Sequence, residues 1–213
     1  MQVKKAVLTA AVLASLLVSL QGCVAVVAGG MVAGAVATTD RRTLGAQTED
    51  KAIAVKAETR LPQIVGDAGH VNVNSYNRKV LLTGEVRDEA MKRAVENEVR
   101  SIANVDNVIN ELEVAGPSSY TSRSSDTLIT SKVKISLADK KTVSANSFKV
   151  VTERGNVYLM GMVTQREGNI AAQVAQGVAG VIRVVKIFEY ISEEDLRAME
   201  PQQPQQPMQA AAQ

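Results

Sequence analysis

The chain reads as an α+β protein built from two tandem αββαβ units, each a three-stranded sheet covered by two helices. An N-terminal export signal precedes them and a disordered C-terminal tail follows. Three observations lead there. The helical pattern DKAIAVKAETRL at residues 50–61 recurs as DTLITSKVKISL at 126–137. The alternating run KVLLTGEV at 79–86 recurs as NVYLMGMV at 156–163. Between and after the copies lie segments too polar for a core, Ser-rich at 116–125 and Gln/Pro-rich at 192–213.

The first 22 residues are an address. Lys4 and Lys5 form a positive start, and Ala6 to Leu20 is an unbroken run of apolar and small residues. Leu20-Gln21-Gly22-Cys23 then resembles the end of a bacterial lipoprotein signal. That resemblance implies a diacylglyceryl group on the Cys23 sulfur, cleavage before Cys23 and acylation of the new amino group. The alternative is a Cys closing an ordinary transmembrane anchor. One acyl chain holds only marginally at ~0.8 kcal/mol per buried methylene, so three hold essentially permanently. Val24 follows instead of Asp, and by the same resemblance this directs sorting to the outer membrane, facing the periplasm. Residues 23–48, opening with the Gly/Ala-rich VAVVAGGMVAGAVATT, read as a lipidated tether, the alternative being part of a longer span.

Each unit then runs in the same order. Residues 49–115 form the first and 126–191 the second. Asp50 and Asp126 are read as helix N-caps, with inward stripes Ile53/Ala57/Leu61 and Ile129/Val133/Leu137. His70 to Tyr76 and Lys79 to Val86 alternate as a hairpin, as do Phe148 to Thr152 and Asn156 to Val163. Asp88 to Ile102 and Gln165 to Ala179 supply the second helices. Val105 to Val114 and Val181 to Ile191 supply the last strands. Gly84 and Gly161 lie inside strands, where close approach of another backbone accounts for them.

A capped helix, the strand V-x-L-x-G-x-V, a second helix and V-x-x-V together resemble the BON domain. A lipoprotein signal, an Ala/Gly tether and two such units, over about residues 20–191, resemble the dual-BON outer-membrane lipoproteins. The resemblance implies association with the division site and envelope stress, and binding of anionic phospholipid, mainly phosphatidylglycerol, by the second unit. It also implies Trp where this chain has Leu128, so the apolar contact is kept without the interfacial aromatic.

Composition narrows the remaining functions. One Cys and one His provide no zinc set, and the absence of Trp with two Phe and four Tyr disfavours a base-stacking nucleic-acid surface. No Ser, His or carboxylate stands in a catalytic motif; His70 reads as a surface or edge residue. The expectation is a non-enzyme with no cofactor and no metal. Removing Lys4 and Lys5 leaves 22 basic against 22 acidic residues. That balance hides nine basic and eleven acidic residues at 50–115 against nine and five at 126–191.

On the second unit's first helix, Leu128 and Ile135 fall away from the core stripe, beside Lys132; Ser131 and Lys134 complete the candidate lipid-binding set. Aliphatics flanked by cations suit an anionic bilayer, each Lys adding ~1 kcal/mol. The alternative is packing of Leu128 and Ile135 against the first unit or the linker. A second apolar surface, Tyr158, Met160 and Met162, reads as a dock for the other unit or, in a rival reading, for an envelope protein partner. That rival is an adaptor in outer-membrane assembly or cell-wall hydrolase regulation.

Overall fold

Alternation makes KVLLTGEV and NVYLMGMV the central strands of two sheets. In the computed structural model, which describes residues 40–116 and 118–199, the first unit comprises α1 (Leu44–Arg60), α2 (Pro62–Val65), β1 (His70–Tyr76), β2 (Lys79–Val86), α3 (Glu89–Arg100), β3 (Asn107–Asn110) and β4 (Glu113–Val114). The second comprises α4 (Tyr120–Ala138), β5 (Phe148–Glu153), β6 (Asn156–Val163), α5 (Gln165–Gln176) and β7 (Arg183–Tyr190), with α6 (Glu193–Met199) after it. In each sheet a hairpin pairs the first two strands antiparallel, and the crossover helix returns the last strand parallel to the central one. The two helices cover one face. Ile53, Ala57, Val95 and Val99 meet Val80, Leu82 and Val86 in the first core. Ile129, Val133, Leu137, Ala171 and Ala175 meet Val157, Leu159 and Val163 in the second.

The helices begin earlier than their repeated Asp residues predict. Thr43 caps α1 by accepting from the Ala46 amide at 3.1 Å, and Ser119 caps α4 by accepting from Ser122 at 3.2 Å. Residues 44–48, expected in the tether, and 120–125, expected in the linker, are therefore helical. Asp50 and Asp126 sit buried inside the helices instead. The Asp126 carboxylate accepts from the Arg154 and Gly155 amides at 2.9 and 2.8 Å, and Asp50 accepts from Asn77 and Arg78 at 2.7 and 2.8 Å. Those amides belong to two-residue hairpin turns with positive φ throughout. The Asp residues are clamps from helix to turn rather than caps. The tail differs too: α6 buries Leu196, and its start is tied by Ser192 and Asp195.

The glycines sit where backbones crowd. A Cβ on Gly84, at φ +116°, would collide with the His70 carbonyl, and one on Gly161 would lie 2.5 Å from the Ser147 carbonyl oxygen.

The outer sheet faces pack on each other, giving helix, sheet, sheet and helix layers within one compact unit. Tyr158 and Met160 from the second sheet and Tyr76 and Leu81 from the first are buried, with Met162, Val185 and Ile187 around them. A docking face at 158–162 is thus real and its occupant is the first unit; the rival reading of that face as a partner surface is overturned. Arg183 reaches Glu111 at 2.8 Å, Arg154 reaches Glu113 at 3.2 Å, and Lys149 donates to the Ser75 carbonyl at 3.1 Å. Burial and nearby Arg42 pull the Lys149 ammonium below its usual range, and burial with Glu111 alongside pushes the Tyr158 hydroxyl up to about 12. Arg41 and Arg42 staple the entry. Arg41 pairs twice with Glu167 of the second unit, at 2.7 and 2.8 Å, while Arg42 bonds Asp50 of the first at 2.7 Å and stacks on Tyr76.

Two measurements follow from these contacts. Ser is as good a cap as Asp but too short to reach the turn, so Asp126→Ser is expected to cost ~1–3 kcal/mol in denaturant unfolding. A loss of only a few tenths would restore the cap reading. At the interface, Glu153 accepts from Asn72 at 2.8 Å, and burial, with Glu85 and Asp126 near, raises its pKa. A raised carboxyl favours the folded state below its ordinary value of 4.5 and loses that contribution as pH rises through the raised one. Glu153→Gln keeps the acceptor for Asn72 without the charge. It is expected to raise Tm at pH 7 and flatten the Tm–pH curve above pH 4.5; unchanged curvature in thermal scans refutes this.

Candidate membrane-contact helix

The site is the outward face of α4. Its 19 residues are long enough to bury one stripe and display another, and the hydroxyls between them need no water. Ser124, Thr127 and Ser131 donate to the carbonyls of Tyr120, Arg123 and Thr127, each four residues earlier, at 2.9–3.0 Å. Satisfied hydroxyls lower the cost of moving this face into a poorer dielectric.

Ile129, Val133 and Leu137 point into the core, while Leu128 and Ile135 are each 62% exposed. The packing alternative for these two aliphatics therefore fails: neither is covered by the first unit or by the residues preceding them. At 100° per residue they lie within about 20° of each other and about 10 Å apart along the axis. Lys132 is exposed about 40° to one side of Leu128 and Ser131 about 60° to the other. These four residues form one crest. Lys134 is also exposed but sits about 120° round the helix from Leu128. It lines a polar cleft of about 450 Å³ with His70, Asn72, Arg123 and Glu153. His70, read from sequence as an edge residue, thus shares a cleft with α4.

Tyr120 was hidden from sequence reading by its place in the Ser-rich segment. It is 83% exposed in the first turn of α4, with the Arg123 guanidinium 4.6 Å above its ring. Continuing the helix upstream past Asp126 places it on the flank of the crest, about 80° round from Leu128 on the Ser131 side; Asp126 taken as a cap conceals it. On the other flank an open groove of about 620 Å³ separates α4 from α5, lined by Lys140, Ile170, Val174 and Val178.

Charge is distributed differently than its sum implies. Of nine cations in the second unit, Lys149, Arg154 and Arg183 face the first unit. Lys132, Lys134, Lys140 and Lys141, on α4 and the turn after it, remain exposed. Among the described residues no group of His, Cys, Asp and Glu is arranged to hold a metal ion, and no helix is long and apolar enough to cross a membrane. Cys23, the signal and residues 24–39, and the tail from residue 200 lie outside the described residues.

Comparison with known proteins agrees with the repeat. The BON domain family matches residues 49–116 and 125–191. The chain is 38% identical over 172 residues to an outer membrane lipoprotein, DolP, of Haemophilus influenzae, covering 79% of this chain and 89% of that protein. It is 29% identical over 141 residues to a 21 kDa hemolysin of Actinobacillus pleuropneumoniae, covering 65% and 73%. Among solved structures, the C-terminal domain of CdsD, a structural protein of the type III secretion system of Chlamydia trachomatis, aligns at 12% identity. Its TM-score is 0.28, with 65% of this chain and 96% of that one covered.

Proposed function

Because this chain belongs to the BON-domain family, as a dual-BON outer-membrane lipoprotein, we propose that it is a non-enzymatic envelope protein whose second unit grips anionic phospholipid from the periplasmic side. Acylation at Cys23 holds the chain at the inner leaflet of the outer membrane. The α4 crest then makes the selective contact and supports outer-membrane integrity, including at the division site.

The exposed pair Leu128 and Ile135, beside Lys132 on a helix whose hydroxyls are internally bonded, carries this reading. The aliphatics dip below the headgroups, Lys132 meets a phosphate on one flank, Ser131 stands on the other, and Lys134, farther round the helix, adds its charge at longer range. Tyr120, exposed in the first turn of the same helix with Arg123 over its ring, restores the interfacial aromatic that Leu128 lacks. The preference for phosphatidylglycerol comes from the resemblance; the anionic preference comes from the lysines.

Flotation of residues 40–213, which carry no acyl chain, with vesicles tests it. Binding is expected to rise at least about tenfold when phosphatidylglycerol is added to neutral lipid, each lysine contributing ~1 kcal/mol. Leu128→Glu is expected to abolish most of that gain, and Tyr120→Ala to weaken it several-fold. Equal flotation on neutral vesicles, or no loss with Leu128→Glu, refutes the proposal.

A further inference from the structure

The two units differ most at their last strand. In the first, the outer edge is broken: β3 has four residues and β4 two. Between them the Leu112 amide turns to the Asn110 side chain at 3.2 Å. An interrupted, short edge is how sheets avoid pairing with other chains. In the second unit β7 is one continuous strand of eight residues at the edge of its sheet. It pairs with β6 along its whole length, from Arg183 opposite Asn156 to Tyr190 opposite Val163. No residue of β7 is buried, and apolar side chains stand open at both ends, Ile182 at 80% exposure and Tyr190 at 48%.

The direction of its free hydrogen bonds is determined. Ile191 donates inward to the Val163 carbonyl at 3.0 Å, continuing the ladder register, while Ile182, ahead of the strand, reaches the Gly155 carbonyl at 2.9 Å through an irregular entry. Since a strand alternates, the amides and carbonyls of odd-numbered residues face β6. Those of Val184, Lys186, Phe188 and Tyr190 face away, with no strand beside them among the described residues.

We propose that β7 is the interface through which two copies of this chain pair, antiparallel and edge to edge, joining two three-stranded sheets into one of six. A two-fold axis at Ile187 brings all four outward residues into register, Val184 against Tyr190 and Lys186 against Phe188, and forms about eight backbone hydrogen bonds. On the helix side the strand then sets a β-branched residue against an aromatic and a lysine stem against a ring. On the other side Ile187 meets itself and Val185 meets Glu189. No like charges oppose one another in this register, whereas shifting the axis to Lys186 sets Lys186 against Lys186. That self-complementarity selects a second copy as the occupant. The crest of α4 lies over the opposite edge of the sheet, packed on β5, so pairing leaves the lipid contact free and doubles it.

Sedimentation of the purified full-length protein in detergent is the test, with crosslinking to read the register. The chain is expected to form a dimer. Lys186→Pro removes only an outward amide, which edge strands tolerate. It is expected to leave the protein monomeric with Tm little changed, while Lys186→Thr still dimerises. In membranes, Lys186→Cys is expected to crosslink to itself through a short bismaleimide about tenfold more than Arg183→Cys, which the register holds far from its mate. A monomer at all concentrations overturns the proposal, as does a dimer that Lys186→Pro leaves intact while folded. Should Lys186→Pro fail to fold, the two cysteine variants decide: equal yields, or capture of a different protein only, refute self-pairing. Leu128→Glu is expected to dimerise normally, so this result and the lipid result fail independently.

Discussion

The contact between the two sheets governs the rest of the molecule. Each unit alone has a helix-covered face and an open face, and the open faces carry Leu81 and Tyr76 on one side and Tyr158 and Met160 on the other. Burying side chains of this size contributes about 1.5–3 kcal/mol each. The first unit's open face also carries Thr83 and Glu85, buried at the interface without hydrogen-bond partners for their side-chain oxygens among the described residues. Arg154 stands 3.8 Å from Glu85 and supplies the nearest compensation. The interface thus combines the apolar cluster with buried polar groups on the first unit's face, and charge pairs such as Arg183–Glu111 and Arg154–Glu113 close its edge.

That contact reassigns the charge asymmetry of the repeat. A basic second unit beside an acidic first one is consistent with a membrane-facing cationic surface, but Arg154 and Arg183 answer Glu113 and Glu111 across the seam. Of the second unit's other cations, Lys132, Lys134, Lys140 and Lys141 lie exposed on α4 and the turn that follows, Arg166 pairs with Glu193, and Lys186 is exposed on β7. With both open sheet faces closed, the outward face of that helix and the edge of β7 are where large apolar side chains of the second unit stay uncovered. The Arg41–Arg42 staple ties the start of the described chain to both units, so pull from an anchor is borne by Glu167 and Asp50 together rather than by one domain.

The misread segments share a physical cause. Asp is a good cap and an equally good acceptor for the amides of a left-handed turn; choosing between these uses requires knowing that the turn, 28 residues on, lies beside the helix. Ser-rich residues 119–125 resemble a linker because Ser has modest helix propensity, yet the packed half of α4 propagates helix back through them and Ser119 closes the end. The strand at 105–114 has a continuous alternating pattern, and its break at Glu111–Leu112 arises from a side-chain bond, Asn110 to Leu112, that a pattern does not contain. The cleft beside His70 is not visible in the sequence because Arg123, Thr127, Lys134 and Glu153, which line it, lie 53 or more residues away in the other copy.

Local periodicity and repetition determined by themselves that there are two αββαβ units, which residues fill each core, and that Leu128 and Ile135 leave theirs. These properties depend on 3.6- and 2-residue spacing within single elements. Tertiary structure alone decided which exposed apolar groups are spent on holding the units together and which stay open. That decision depends on surfaces from distant parts of the chain meeting: Tyr158 and Met160 are covered because Leu81 and Tyr76 lie opposite, and Leu128, Ile135 and Tyr120 are not because nothing in the described chain reaches them.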